Sequence, residues 1–154
     1  ICLDVSASIT GTTEQLSQAA LEAAVAASGQ EIRPGDAVLL HFGYGDRVWP
    51  GRAYAEENPG LSEEAAEWLA AQGVVNIGVD QMSIDSSTDA DSVGHMVCKK
   101  YGIVNTESLT NLDKVINQRF LFFGLPLNIR QGTGSPIRAI AVLVDPDRIS
   151  SISV

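Results

Sequence analysis

Cysteine, histidine and basic residues are scarce in this sequence. Its two cysteines, Cys2 and Cys98, are too few for a disulfide framework and favour a reducing compartment, so we expect a cytoplasmic protein. Two histidines, His41 and His95, cannot build a His-rich metal site by themselves. Ten basic against 19 acidic residues give a net charge of −9. So acidic a chain repels phosphate backbones, and we expect no nucleic-acid partner.

Long apolar runs are also missing, although the chain is rich in apolar residues. No run approaches the roughly 20 residues that a membrane helix needs, so we expect no membrane partner. Apolar residues make up 45% of the 154 residues and charged residues 19%, which is enough to build a core. This length and composition predict a single domain over residues 1–154.

The first residues are those of a buried strand. The chain starts Ile1-Cys2-Leu3-Asp4-Val5, without an initiator Met or a signal segment. We therefore expect this sequence to be the C-terminal part of a longer polypeptide.

Apolar runs and helical patterns alternate along the chain, which predicts an α/β fold. A capping box of Thr12 and Gln15 predicts a helix over 14–28, and Ser62 predicts the start of another. Gly43 to Gly60 is predicted to be a loop. The predicted strands cover 1–5, 37–42, 74–79, 103–106, 119–129 and 139–144, and a third helix covers 93–100.

Acidic residues follow two of the predicted strands. Asp80 ends a strand, where α/β folds line ligand crevices, but it could equally cap the following loop; Asp85 is a weaker case of the same kind. Glu107 also ends an apolar strand, and His95 lies on the preceding helix. One imidazole and one carboxylate suit Zn²⁺ or Mn²⁺, although two ligands are too few for a tight site.

The loop after the second strand is rich in aromatic residues. Tyr44, Trp49 and Tyr54 could wall a pocket for a flat substrate. They could equally form a lid over the core or a subunit contact. The turn Gly132-Thr133-Gly134-Ser135 lacks the lysine of a nucleotide-binding loop and is interpreted as a plain turn between strands.

Five segments, taken together, carry a family resemblance. They are Pro34-Gly35-Asp36-Ala37-Val38-Leu39-Leu40, Pro59 to Leu69, Gly78-Val79-Asp80 with Ser83 and Asp85, Glu107 to Leu112, and Arg119 to Leu127 running into Gly132 to Ala139. In this order and spacing they resemble the metal-dependent cyclase-like hydrolase family. That family includes bacterial kynurenine formamidases, isatin hydrolases and some polyketide cyclases.

The resemblance implies a fold and a metal site. The fold would be a swivelling β/β/α arrangement, a mixed sheet with flanking helices. His95 and Glu107, twelve residues apart, would bind a divalent metal, zinc or manganese. Ser108 stands where the family usually has Asn, and its hydroxyl could hold a catalytic water. The family's motif His-x-Gly-Thr-His-x-Asp-x-Pro-x-His is not in this sequence, so we expect this part alone to be inactive.

The resemblance also implies an activity. We expect a metal-dependent hydrolase that cleaves the carbon–nitrogen bond of an amide through a metal-activated water. The small-molecule substrate would be an aryl formamide or a cyclic amide such as isatin, gripped by Tyr44, Trp49 and Tyr54. A polyketide-type cyclase or dehydratase, and a non-catalytic subunit that lacks the metal motif, remain the alternatives. Family members are usually oligomers, so a homodimer or homotetramer is expected.

Overall fold

A parallel sheet organises the first part of the chain. The computed structural model describes residues 1–143. The strands are β1 (Cys2–Asp4), β2 (Gln15–Leu16), β3 (Ala37–His41), β4 (Gly60–Leu61), β5 (Asn76–Val79), β6 (Val104–Thr106), β7 (Leu121–Pro126) and β8 (Ile137–Val142). Strands β1, β3, β5 and β6 form one sheet in that order, and all of its pairs are parallel. Strands β2 and β4 form a separate parallel pair.

Helices connect the strands of the main sheet, which confirms the predicted α/β class. They are α1 (Gln18–Ser28), α2 (Tyr44–Val48), α3 (Ala53–Glu56), α4 (Glu63–Ala71) and α5 (Val93–Tyr101), with 3-10 turns at Ser6–Ser8 and Leu112–Val115. The predicted loop from Gly43 to Gly60 is therefore wrong in part, because it holds two short helices and the start of β4. Short helices in Gly- and Pro-rich sequence lack the periodicity that reveals longer ones.

The start of the first helix also differs from the prediction. Thr12 does not cap α1; the side chain of Ser17 accepts the backbone N–H of Ala20 instead. The reason is tertiary, because Gln15 and Leu16 pair with β4 as a strand and cannot also be helical. The end is as expected, since Gly29 adopts a left-handed φ of 65° that a C-cap glycine allows.

The core lies between the main sheet and the helices. Side chains alternate across β3, so that Val38 and Leu40 join a core shared with Leu21 of α1 and Leu69 of α4. Leu39 points to the opposite face of the sheet and packs over Gly78 of β5. A Cβ on Gly78 would lie 2.4 Å from the Cδ2 atom of Leu39. The sheet is thus buried on both faces, as parallel sheets are.

A second compact unit begins at Arg119. Here β7 and β8 form an antiparallel hairpin whose register runs from Leu121↔Val142 to Pro126↔Ile137. These two strands confirm the expected pair over 119–129 and 139–144, although Val144 lies outside the described residues. Within residues 1–143, no helix is long and apolar enough to cross a membrane.

One close backbone approach joins β4 to the loop that follows β5. A Cβ on Gly60 would lie 2.0 Å from the backbone nitrogen of Ser86 and 2.2 Å from the carbonyl carbon of Asp85. The Asn58 side chain ties the same segments together, because its Nδ2 donates to the carbonyl oxygen of Asp85 at 2.6 Å. The position of the 83–87 loop therefore depends on a glycine at position 60.

We predict that Gly60→Ala destabilises the protein by about 3 kcal/mol, the upper end of the usual cost of overpacking, because backbone atoms cannot yield to a new methyl group. The measurement is the free energy of unfolding in urea. Gly134→Ala is the matched control, since no atom lies within 4 Å of a Cβ at that position. Equal stability of the two variants would contradict the close approach.

Candidate metal centre

Polar residues collect at one edge of the main sheet. Asp4 and His41 end β1 and β3, while Asp80 and Glu107 directly follow β5 and β6. The carboxyl ends of parallel strands share an edge, where α/β folds bind their ligands. The strand-end acids singled out from the sequence therefore lie at the edge where a ligand is expected.

His95 and Glu107 are brought together by α5 and β6. The His95 Nε2 atom lies 3.4 Å from Glu107 Oε1. The same carboxylate oxygen accepts the Nδ2–H of Asn105 at 2.8 Å and the backbone N–H of Ile84 at 3.2 Å. Both side chains keep access to solvent, with exposed fractions of 46% for His95 and 31% for Glu107. The two predicted ligands are thus adjacent and accessible.

Asp85 holds the other side of the His95 ring. Its Oδ2 atom lies 2.5 Å from His95 Nδ1, and its Oδ1 atom accepts the backbone N–H of Gly94 at 2.5 Å. The Asp85 carboxylate is buried, and it lies at the N-terminus of α5, where the helix dipole favours a negative charge. This contact orients the imidazole so that Nε2 faces Glu107.

The donor set fits a divalent cation. Zinc binds imidazole nitrogen and carboxylate oxygen at about 2.0–2.2 Å, which places two ligands of a tetrahedral ion about 3.4 Å apart. The separation of Nε2 and Oε1 in this pair is 3.4 Å. Among residues 1–143, no group of three or more His, Cys, Asp or Glu side chains could hold a metal ion. The pair supplies two ligands and needs others to complete a site.

Ser108 follows Glu107 and is exposed. Its backbone adopts a left-handed φ of 55°, and its N–H donates to the carbonyl oxygen of Gln81 at 2.8 Å. This conformation is uncommon for Ser and more common for Asn. The left-handed backbone therefore gives a physical reason why the family usually has Asn at the position of Ser108. The role of the Ser108 hydroxyl in holding a water stays a prediction.

The three aromatic residues of the loop do not share one environment. Tyr44 and Tyr54 lie in the core with exposed fractions of 1% and 6%, whereas Trp49 is 69% exposed. The Trp49 and Tyr54 rings meet edge to face, with centroids 5.1 Å apart. Tyr44 and Tyr54 are therefore core residues, and Trp49 is the one of the three whose ring is largely exposed.

Asp80 is a buried acid with an incomplete set of partners. Its Oδ1 atom accepts the backbone N–H of Phe42 at 2.9 Å, while the buried Oδ2 atom has no hydrogen-bond partner among the described residues. Burial raises the pKa of Asp80, and hydrogen bonds from Phe42 and Gly43 offset this only in part. Asp80 therefore anchors the chain that follows β3, which is a contact between two strand ends and not a cap on the loop after β5.

Two further polar groups near this edge have structural explanations. The Asp4 carboxylate accepts the Ser6 hydroxyl at 2.7 Å and lies 3.3 Å from Nδ1 of His41. Burial alone would raise the pKa of Asp4, but these hydrogen bonds lower it below its usual value. Burial, helped by the charges of Asp85 and Glu107, raises the pKa of Cys98 to about 11, so its thiol stays protonated.

The fold and this edge define an α/β protein with a candidate cation site at the carboxyl end of its sheet. The family model for putative cyclases matches residues 1–86, more than half of the chain. The chain belongs to this cyclase family, which confirms the family expected from the five sequence segments.

Relatives with described activities match the chain over part of their length. A kynurenine formamidase of Bacillus mycoides is 34% identical over 82 residues, which cover 53% of this chain and 39% of that protein. An isatin hydrolase of Roseibium aggregatum is 30% identical over 127 residues, 73% of this chain and 47% of that protein. The solved structure of isatin hydrolase A from Ralstonia solanacearum superimposes with a TM-score of 0.80 at 26% identity, over 90% of this chain and 57% of that one. The chain thus spans about half the length of the relatives it matches.

We predict that Asp80→Asn raises the free energy of unfolding at neutral pH. The amide keeps an acceptor for Phe42 but removes a buried charge. The pKa of Asp80 is higher in the folded state than the value of about 3.9 expected in the unfolded state. The free energy of unfolding therefore falls as the pH rises from the unfolded-state pKa through the folded-state pKa. Urea unfolding over a pH series should show the gain at neutral pH and its disappearance in acid. Asp113→Asn, at an exposed site, is the control; an equal pH-dependent gain there would refute the explanation.

Proposed function

We propose that this chain supplies part of the active site of a metal-dependent hydrolase that cleaves the carbon–nitrogen bond of an amide. The observation that carries the proposal is the 3.4 Å approach of His95 Nε2 to Glu107 Oε1, with the ring held from its other nitrogen by Asp85. A carboxylate–histidine pair of this kind is typical of metal sites. The relatives named kynurenine formamidase and isatin hydrolase support the reaction class.

His95 and Glu107 are the ligands that this chain contributes. A divalent cation bound between them would polarise a substrate carbonyl and lower the pKa of a water molecule. Asp85 and Asn105 orient the two ligands, and the Ser108 hydroxyl would position the attacking water. The family's metal motif, which is not in this sequence, would supply the remaining ligands and a proton-shuttling base, so residues 1–154 alone would be inactive. Zinc or manganese suits one imidazole and one carboxylate.

The substrate would be a small aromatic amide. Trp49 follows α2, the helix that β3 leads into at the same edge of the sheet, and its exposed ring could stack on an aryl group. An aryl formamide and a cyclic amide such as isatin both present such a group next to the scissile bond. The working protein would be a cytoplasmic homo-oligomer, a dimer or tetramer, with no nucleic-acid or membrane partner.

A cyclase or dehydratase that acts on a polyketide-like substrate is the second candidate. The match to the putative cyclase model favours it, and the same ligand pair would polarise a carbonyl for ring closure. A non-catalytic subunit remains the third interpretation. Incubation of the natural polypeptide that contains these residues with N-formylkynurenine, isatin and a polyketide substrate separates the three.

We predict that His95→Ala and Glu107→Ala each lower both the bound metal and the turnover of the natural polypeptide, by about 100-fold or more in rate. Metal content is measured by elemental analysis and turnover by product formation. Met96→Ala is the matched control on the same helix, because Met96 is exposed and contacts neither ligand through a hydrogen bond. Wild-type metal content and rate in both variants would rule out the assignment.

We predict that Trp49→Ala raises KM for an aromatic amide by roughly 10-fold, the size of one aromatic contact, without a matching fall in kcat. Its high exposure means that stability should change little. Tyr101→Ala removes another exposed aromatic ring and should leave KM unchanged. An unchanged KM in Trp49→Ala would exclude Trp49 from the substrate site.

A further inference from the structure

We propose that Asp85 is a positioning residue that holds the His95 imidazole in the tautomer with the proton on Nδ1, so that Nε2 faces Glu107 without a proton. The assignment rests on hydrogen bonds at both ring nitrogens and on the way the backbone is built around the Asp85 carboxylate. The importance of this tautomer for catalysis rests on the proposed function, because His95 can bind a metal through Nε2 only when that nitrogen carries no proton.

The first argument is the chemistry of the Asp85 carboxylate. An ionised carboxylate has only acceptors. Its Oδ1 atom accepts the N–H of Gly94 at 2.5 Å, and its Oδ2 atom receives the backbone N–H of His95 at 3.4 Å. The same Oδ2 lies 2.5 Å from His95 Nδ1, and two acceptors cannot form that contact. The proton at this contact therefore belongs to Nδ1.

The second argument comes from the opposite side of the ring. Asn105 Nδ2 lies 2.8 Å from Glu107 Oε1, and because that oxygen only accepts, the Asn105 atom facing it is the NH₂ group. The same NH₂ group lies 3.2 Å from His95 Nε2. An NH₂ group only donates, so a hydrogen bond at this contact requires an Nε2 that accepts and carries no proton. The partners at the two ring nitrogens thus favour the same tautomer.

The third argument is that the surrounding backbone makes room for this carboxylate. A Cβ on Gly94 would lie 2.7 Å from Asp85 Oδ1, so a glycine at that position permits the contact. Gly60 packs directly against the backbone of Asp85, and Asn58 donates to its carbonyl oxygen at 2.6 Å. Asp85 is only 4% exposed. Its carboxylate is therefore held in place by neighbours outside its own loop.

A capping role for the helix alone does not account for these contacts. Asp89 already accepts the backbone N–H groups of Asp91, Ser92 and Val93 at the start of α5. Asp85 accepts the next two N–H groups of the helix, those of Gly94 and His95, so both acids cap the helix start. Capping does not require the contact between Asp85 Oδ2 and the imidazole. What Asp85 adds is the contact with the imidazole, and Asp89 makes no contact of this kind. This difference makes Asp89 the matched control.

The test is the nitrogen-15 NMR spectrum of the His95 ring in the metal-free natural polypeptide that contains these residues, at a pH where the imidazole is neutral. For the wild type, we expect the shift of a protonated nitrogen at Nδ1 and of an unprotonated nitrogen at Nε2. For Asp85→Asn, the amide oxygen is expected to stay with the Gly94 N–H, which turns the NH₂ group toward Nδ1. The two ring shifts should then move toward each other or exchange.

Two control variants separate positioning from simple stability. Asp89→Asn weakens the cap of the same helix and should leave the ring shifts at their wild-type values. Asn105→Ala removes the donor to Nε2 but keeps Asp85, and should also keep the proton on Nδ1. A wild-type ring with its proton on Nε2 would overturn the proposal even if no variant folds, and so would wild-type shifts in a folded Asp85→Asn variant.

Zinc binding to the natural polypeptide then tests the link to function separately. We expect Asp85→Asn to weaken zinc binding by about 10- to 100-fold and Asp89→Asn to leave it unchanged. Altered ring shifts in Asp85→Asn, together with no zinc binding at His95 in the wild type, would support the positioning role and overturn the proposed function. Unaltered ring shifts would overturn the positioning role, whatever the zinc affinity.

Discussion

The buried carboxylate of Asp85 is the group on which the arrangement of the candidate site depends. A buried charge is costly unless it is hydrogen-bonded and compensated. Here the N-terminus of α5 provides both, through the N–H of Gly94 and through its dipole. The same carboxylate holds the ring of His95, the next residue along the helix. The interaction that makes the charge tolerable thus also sets where the imidazole points.

The contrast between the two histidines shows why one of them is the better ligand. Each has a carboxylate at Nδ1: Asp85 for His95 and Asp4 for His41. However, the His41 side chain is only 12% exposed, and its Nε2 lies 3.8 Å from an oxygen of Asp46. His95 is 46% exposed, and Glu107 lies at the spacing of a shared cation. Both histidines thus have a carboxylate near each ring nitrogen; the shorter separation from Nε2 and the greater solvent access distinguish the pair with His95.

The sequence was informative wherever a single run of residues determines the outcome. Apolar runs marked the strands of the sheet, and Gly29 and Ser62 marked the end of α1 and the start of α4, because these signals are local. Thr12 failed as a cap because pairing of β2 with β4 overrides local helix signals. His95 and Glu107 were paired through the family resemblance, whereas local chemistry alone left the pair open.

The parts that the sequence did not reveal depend on contacts between segments. Nothing in the spacing of Asp85 and His95 requires their side chains to meet; that follows from the glycines at 60 and 94, which let backbone and carboxylate approach within distances that no Cβ permits. The burial of Tyr44 also depends on contacts between segments: the sequence suggested a substrate-binding aromatic residue, but the structure places it in the core.

His95 belongs to α5 and Glu107 directly follows β6, and irregular backbone lies beside each of them. Ser92 before α5 and Ser108 after Glu107 both adopt left-handed φ values, 54° and 55°, which serine rarely does. Such conformations persist only where surrounding contacts impose them. At Ser108 the contact is its N–H bond to Gln81; before α5 it is the Asp89 carboxylate, which accepts the N–H of Ser92. The turns absorb the irregular geometry, so that α5 and the end of β6 place an imidazole and a carboxylate next to each other.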